Sequence, residues 1–191
     1  AIHRRVAAAD DDDMLALARK YQAEMATKIG HDNVTFKKAR IQDMALDLDA
    51  MAVWLAKNPV ADLDGMRALE AEQQRLRRSA PAVADDSVDV IVSNCVLNLV
   101  KPDDKAQLFA DMFRVLKRGG RCVISDIVCD EEPTEQIKND AELWSGCIAG
   151  AFGEAEFLRR FEEAGFYGVQ ILERQQEPWQ VVDGIEFRSL T

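Results

Sequence analysis

Apolar positions along the chain switch between helical and strand spacing. Residues 11–26 place Met14 and Tyr21 on one helical face. Residues 34–41 alternate apolar and polar side chains, as a short strand does. Residues 88–93 form a nearly continuous apolar run, which predicts a strand buried on both faces of a sheet.

The second half of the chain continues this alternation. Residues 105–116 predict an amphipathic helix, and Gly119-Gly120 fits the end of such a helix. A buried strand is predicted at residues 121–126. Two more helices and one strand are predicted at residues 135–147, 154–164 and 169–172. Helices alternating with strands predict an α/β domain, Rossmann-like and doubly wound, with a mostly parallel sheet.

Residues 47–78 interrupt this pattern with helical character on both sides of Asn58-Pro59. An apolar stretch around Trp54 precedes the break, and a densely charged stretch follows it. We interpret the segment as a pair of helices inserted between two strands.

Composition limits the classes of partner. A chain of 191 residues can form one domain with a substantial core. A net charge of −10 argues against binding to nucleic acid or to an anionic membrane surface. No apolar run approaches the ~20 residues of a membrane helix, and no signal peptide opens the sequence. We expect a cytoplasmic protein that acts on a small molecule.

The four cysteines, Cys95, Cys122, Cys129 and Cys147, form no CxxC pair. Neither a disulfide scaffold nor a structural zinc site is therefore expected. Free cysteines are usually small buried hydrophobes, which fits Cys122 inside a predicted strand. Cys129 follows that strand in a polar segment, where we expect it to have no role.

Residues 85–126 resemble the middle of class I methyltransferases. The shared pattern is a strand, a helix, the RVLKRGG turn and a strand that ends at Asp126. In doubly wound sheets the ligand lies beyond the carboxyl ends of the strands, where Asp126 and residues 93–95 stand. The resemblance implies S-adenosylmethionine as cofactor and a class I methyltransferase fold that is incomplete at its N-terminus.

Two more specific motifs resemble segments of the arsenite methyltransferases: SNCVLNL at residues 93–99 and LWSGCIAGA at residues 143–151. The resemblance implies that Cys95 and Cys147 are the catalytic thiols and the ligands of trivalent arsenic, a soft centre that prefers thiolates. The family often has Glu before the second cysteine, where this chain has Gly146. The implied enzyme is an arsenite methyltransferase of arsenic detoxification, with arsenite or its thiol conjugate as substrate and a thiol reductant as partner.

The resemblance also implies a set of cofactor-binding residues. Asp10 is the best placed carboxylate for the ribose hydroxyls, although the run of aspartates is equally well explained as a solvated helix start. Ile41 and Gln42 resemble the pair that contacts the adenine. Asn94 is expected to contact the cofactor through its backbone.

Two family features are missing from this sequence. Gly30 is the first glycine, so no GxGxG loop precedes it, and the family's upstream third cysteine has no counterpart before Cys95. Either the sequence is part of a longer chain, or it is a truncated protein that does not hold its cofactor. The first explanation is favoured because a sheet without its first strand would expose a central edge. Within one domain, we expect residues 1–130 to form the cofactor-binding core and residues 131–191 the acceptor-binding part.

Two alternatives remain open from the sequence. One keeps the fold and replaces arsenic with a small organic acceptor, which the inserted helices at residues 47–78 would help to recognise. The other is a non-catalytic protein that binds arsenite, which the missing glycine loop favours.

Overall fold

The computed structural model describes residues 5–191. The chain forms two compact units, Ala1–Ala84 and Asp85–Thr191. Among the described residues, none of the helices combines the length and the apolar character needed to cross a membrane.

The N-terminal unit contains a two-stranded parallel sheet and three helices. Its elements in chain order are β1 (Arg5–Ala9), α1 (Asp12–Ile29), β2 (Val34–Lys38), α2 (Leu48–Leu55) and α3 (Leu63–Ser79). Helix α1 begins where the Asp11 carboxylate accepts a hydrogen bond from the Met14 amide over 2.7 Å, and it ends at Gly30, whose φ is +79°. The predicted inserted helices are α2 and α3. They share a small apolar core built on Leu46, Met51 and Leu76.

The C-terminal unit is a five-stranded sheet with helices. Its elements are β3 (Val88–Asn94), α4 (Lys105–Val115), β4 (Leu116–Cys129), α5 (Glu135–Lys138), α6 (Ala141–Ser145), β5 (Phe152–Gly153), α7 (Glu154–Glu163), β6 (Gln180–Val182) and β7 (Ile185–Leu190). The sheet order is β3-β4-β7-β6, with β5 also paired to β4. Strand β4 is parallel to β3 and β5, and antiparallel to β7. The carboxyl ends of β3 and β4 therefore lie at the same edge of the sheet.

The RVLKRGG segment folds differently from its prediction. Helix α4 ends at Val115, and β4 already begins at Leu116, so Gly119 and Gly120 lie inside the strand. Pairing with β3 explains the change, since the register jumps between Val88 opposite Leu116 and Val90 opposite Arg121. The bulge accommodates Gly119 at a φ of +80°.

Strand β3 is more exposed than its apolar run predicts. The exposed fractions of Val90 and Val92 are 56% and 75%. Val90 and Val92 are two positions apart, so both side chains lie on the same face of β3, and their exposure shows that this face is not covered. The prediction of a strand buried on both faces is wrong for the structure as described.

Two further predictions need correction. The helix expected at residues 135–147 is broken into α5 and α6, because Asp140 caps a new helix by accepting bonds from the amides of Glu142 and Leu143. Residues 169–172 form no strand. Only the adjoining segment reaches β7, through an isolated bridge between Arg174 and Leu190.

Candidate functional site

Cys95 lies directly after β3, on the turn that leaves the sheet. Its amide donates to the carbonyl of Ser125 over 2.9 Å, which ties the turn to the neighbouring strand β4. Its thiol is exposed and donates to the side-chain oxygen of Asn94 over 3.4 Å. Cys95 therefore presents a sulfur atom at the carboxyl edge of two parallel strands, the position where doubly wound folds bind ligands.

Cys147 reaches the same place from a distant part of the sequence. It follows the short helix α6, and its amide donates to the carbonyl of Trp144 over 3.0 Å. Its thiol donates to the backbone carbonyl of Cys95 over 3.5 Å, across 52 positions of sequence. The structure thus brings together the two cysteines that the sequence singled out, and places Asn94 beside them.

Both cysteines have an uncommon backbone conformation. Four described non-glycine residues have a positive φ, and two of them are Cys95 at 53° and Cys147 at 62°. A side chain in this left-handed region costs free energy, and such residues cluster at functional sites. The surrounding contacts hold both residues in this conformation, which distinguishes them from Cys122 and Cys129.

The electrostatic environment favours the protonated thiols. Partial burial raises the pKa of Cys95 and of Cys147, and the nearby negative charge of Asp126 raises both pKa values further. The neighbouring Cys95 raises the pKa of Cys147 as well. A thiophilic ligand must therefore displace protons here.

Asp126 forms the buried floor of this site, next to the last β3–β4 pair, Asn94 opposite Ser125. The strand predicted to end at Asp126 continues to Cys129. Its exposed fraction is 1%, and its carboxylate accepts hydrogen bonds of 2.9 Å from the amides of Leu97 and Ile127. Desolvation nevertheless raises the Asp126 pKa, although these amides and the Lys105 cation act to lower it. The carboxylate fixes the turn that follows Cys95 and keeps negative charge beneath the two thiols.

The other two cysteines are both part of strand β4. Cys122 lies within β4, as predicted, and burial raises its pKa to about 12. Cys129 was expected in a polar segment, but it ends β4 with 1% exposure and packs in the apolar core, where burial raises its pKa to about 12 as well. Cys95 and Cys147 differ from this pair in backbone conformation, and Cys95 is also the one exposed thiol of the four, since Cys122 and Cys147 are both half-buried. No group of three or more potential metal ligands occurs in the described part of the chain.

Sequence reasoning missed three residues around the thiols: Asn98, Lys105 and Gly150. Asn98 is fully buried, and its side-chain amide donates to the carbonyls of Ile127 and Cys147. Lys105 is 7% exposed and donates to the carbonyl of Gly150. Asn98 and Gly150 lie in the two sequence motifs that contain the cysteines, so the motifs could have pointed to these residues. Lys105 gave none, since a lysine at a helix start is usually solvated.

The aspartates at residues 10–12 of the N-terminal unit make different contacts. Asp11 caps α1, and Asp12 forms an ion pair with Lys38 at 2.5 Å. Asp10 stands between β1 and the helix with an exposed carboxylate, which is 3.7 Å from the similarly exposed guanidinium of Arg40. Asp10 directly follows β1, whereas Asp11 caps α1 and Asp12 is its first residue. Asp10 is therefore the carboxylate of the three that lies at the end of the strand.

Ile41 and Gln42 lie in a turn after β2, and both are half-buried. The turn is closed by a bridge between Arg40 and Asp43, and the Asp43 carboxylate binds Arg77 of α3 over 2.9 Å. The parallel pairing of β1 with β2 places this turn and Asp10 at the same edge of the small sheet. The three predicted cofactor residues of this unit therefore share one edge.

Curated relatives were found among the arsenite methyltransferases. The chain is 39% identical over 108 residues to the arsenite methyltransferase of Halobacterium salinarum, a match that covers 56% of this chain and 27% of that protein. It is 28% identical over 163 residues to the arsenite methyltransferase of Aquipseudomonas alcaligenes, covering 85% of this chain and 37% of that protein. The chain therefore spans well under half the length of these two relatives.

A solved structure has the same fold. It is that of an arsenic(III) S-adenosylmethionine methyltransferase from Chlamydomonas reinhardtii, with a TM-score of 0.68 and 23% identity. The similarity covers 97% of this chain and 52% of that one. The predicted fold class, an α/β class I methyltransferase fold, is confirmed.

The methyltransferase domain family matches residues 44–165 of this sequence. The matched region includes the inserted helices, the sheet edge between β3 and β4, and the thiols of Cys95 and Cys147. Because the match covers more than half of the 191 residues, the chain belongs to the methyltransferase domain family.

Proposed function

We propose that this protein is an S-adenosylmethionine-dependent methyltransferase whose methyl acceptor is trivalent arsenic held by the thiolates of Cys95 and Cys147. The observation that carries the proposal is the meeting of these two thiols at the carboxyl edge of β3 and β4. Curated relatives named arsenite methyltransferases support arsenic as the acceptor. The chain spans only part of the length of those relatives, so arsenite methylation by the whole protein is itself proposed.

Binding of arsenic requires that the two thiols lose their protons. Each thiolate that replaces a hydroxyl of arsenite forms one As–S bond, and the thiol proton leaves with the hydroxyl as water. Thiolates suit trivalent arsenic because both partners are soft. The bound arsenic keeps its lone pair, which carries no proton, so the acceptor needs no general base. The two thiols therefore contribute orientation and proximity, which are worth up to ~7–11 kcal/mol when alignment is good.

S-adenosylmethionine, when bound, supplies an electrophilic methyl group on a sulfonium centre. The exposed carboxylate of Asp10 at a strand end supports a site for this cofactor, because such a carboxylate can accept bonds from the two ribose hydroxyls. Ile41 and Gln42 would border the adenine from the neighbouring turn. The cofactor contact expected of the Asn94 backbone stays a prediction from the sequence. A thiol reductant is the further partner in this proposal, acting to return arsenic to its trivalent state.

The test is methyl transfer to arsenite by the full chain, with S-adenosylmethionine and a thiol reductant, measured as methylated arsenic species. We expect Cys95→Ser and Cys147→Ser each to lower turnover by about a hundredfold or more, as loss of a positioned group does. Cys122→Ser is the matched control, because that thiol lies inside β4, away from the paired cysteines.

Full turnover in both single variants would exclude the paired thiols as the acceptor site. Arsenite binding by the wild-type chain without any turnover or cofactor affinity would favour the arsenite-binding protein instead. Methyl transfer to organic acceptors, combined with no affinity for arsenite, would favour the small organic acceptor.

A further inference from the structure

We propose that Asn98, assisted by Lys105, is a positioning residue that sets the separation of the two arsenic-binding thiols. The inference rests on the proposed function, since it concerns how the same site is held. It is carried by a buried polar cluster that fastens the loop of Cys147 onto the turn of Cys95.

Asn98 joins three parts of the C-terminal unit through one side chain. It lies three residues after Cys95 in a short helical turn, Leu97–Leu99, with no exposed surface. Its side-chain amide donates to the carbonyl of Ile127 in β4 over 2.7 Å and to the carbonyl of Cys147 over 3.2 Å. Asn98 thus binds the backbone of the very residue whose thiol reaches Cys95.

Gly150 shows how closely the two segments approach. A Cβ atom at this position would lie 1.9 Å from the carbonyl oxygen of Asn98, far inside any contact distance. Backbone therefore packs directly on backbone, three residues after Cys147. Such an approach leaves the loop little freedom to slide along the turn.

Lys105 fixes the far end of the same loop from the first turn of α4. Its ammonium donates to the carbonyl of Gly150 over 2.5 Å and lies 3.8 Å from the centre of the Phe152 ring. A buried lysine is costly unless its charge is well satisfied. The hydrogen bond from Lys105 to the Gly150 carbonyl holds this loop against α4 and offsets part of that cost.

The consequence is specific to ligands that bind both thiols. A trivalent arsenical with two exchangeable hydroxyls forms two As–S bonds and releases two molecules of water, so its affinity depends on the distance between the sulfurs. A reagent that modifies one thiol depends only on that thiol's exposure and ionisation. Loss of a positioning residue should therefore weaken two-thiol binding while leaving one-thiol reactivity nearly unchanged.

The experiment compares phenylarsonous acid, which takes two thiolates, with iodoacetamide, which takes one. For Asn98→Leu, which removes both donors at similar volume, we expect affinity for phenylarsonous acid to fall about tenfold or more. For Lys105→Met we expect a smaller loss in the same direction. Iodoacetamide rates at Cys95 and Cys147 should stay within about twofold of wild type. Asn58→Leu is the matched control, because Asn58 also donates to a backbone carbonyl, that of Trp54, in the N-terminal unit.

Unchanged affinity for phenylarsonous acid in both folded variants would overturn the proposal. So would a parallel loss of both reactivities, or a failure of both variants to fold, since the residues would then serve the fold as a whole. Failure of the proposed function looks different. In that case the wild-type chain itself would not bind phenylarsonous acid, or Cys95→Ser and Cys147→Ser would bind it equally well.

Discussion

The thiol of Cys147 donates a hydrogen bond to the backbone carbonyl of Cys95, at 3.5 Å. This contact crosses from the loop after α6 to the turn after β3, and both cysteines have a left-handed backbone. A single thiol in such a place would be a reactive side chain and nothing more. Two thiols on adjacent turns are the arrangement that the proposed arsenic site requires, because a trivalent arsenical takes two soft donors.

The first prediction concerns the pH at which these thiols react. Burial and Asp126 raise the pKa of Cys95 and Cys147 above the ordinary 9.0, so the thiolate fraction at neutral pH is small. Alkylation rates at both positions should keep rising beyond pH 9.0 and level off only above it. The measurement is iodoacetamide modification followed by peptide mass spectrometry across a pH series. A plateau reached near neutral pH would contradict this environment.

The same experiment orders the four cysteines. Cys95 is exposed and should react first, followed by the half-buried Cys147. Cys122 and Cys129, whose pKa values burial raises to about 12, should react only after unfolding. Modification of Cys129 in the native chain at a rate similar to that of Cys95 would be inconsistent with the core described here.

The second prediction isolates the charge of Asp126. Asp126→Asn removes a negative charge that raises the pKa of both thiols, while the amide oxygen still accepts one backbone hydrogen bond. The thiolate fraction at a given pH should therefore increase, and alkylation of Cys95 and Cys147 at mildly alkaline pH should be about two- to tenfold faster. Asp130→Asn serves as the control, because that carboxylate caps the turn after β4 and is not among the causes of either shift. Equal rates in Asp126→Asn and wild type would show that burial alone sets both pKa values.

Much of the fold was predictable because apolar spacing reports local structure directly. The periodicity of α1 and α4 predicted both helices, and the aspartate run predicted the start of α1. The Gly119-Gly120 prediction was wrong because pairing with β3 overrode the tendency of glycine to end a helix. The burial predicted for β3 was wrong because an apolar run does not show whether another element covers each face of the strand.

Some features of the candidate site were also predictable from the sequence, and others were not. The two motifs that resemble the arsenite methyltransferases singled out Cys95 and Cys147, and the structure brings these residues together. Their left-handed backbone left no trace in the sequence, since cysteine has no preference for that region. Asn98 and Lys105 act through buried contacts with backbone carbonyls, which depend on tertiary approach rather than on residue type.

The third prediction concerns the close approach at Gly150. Gly150→Ala would place a Cβ atom 1.9 Å from the Asn98 carbonyl, so the loop must move. We expect a loss of about 3 kcal/mol or more in the free energy of unfolding, the upper range for overpacking. Gly146→Ala is the control in the same loop, because its nearest neighbour would lie 3.6 Å away and its φ is an ordinary −83°. Denaturant unfolding of both variants measures the difference, and equal stability of the two would contradict the packing of this loop.

The fourth prediction follows from the buried ammonium of Lys105. Desolvation lowers its pKa from 10.5 to about 8, against the opposing attraction of Asp126. Between these two values the unfolded chain binds more protons at this position than the folded chain. The free energy of unfolding must therefore rise with pH across this window, by up to about 3 kcal/mol for a shift from 10.5 to about 8.

Lys105→Met tests this dependence, because methionine fills similar volume and does not titrate. Thiol ionisation also changes stability at high pH, but Cys129, whose pKa Lys105 lowers, still has a pKa of about 12, which lies above this window. Wild-type stability measured against that of Lys105→Met should therefore increase from about pH 7 to about pH 10. The hydrogen bond to Gly150 adds a constant offset, since a neutral amine still donates. Parallel pH profiles for the two proteins would mean that Lys105 keeps an ordinary pKa and is solvated rather than buried.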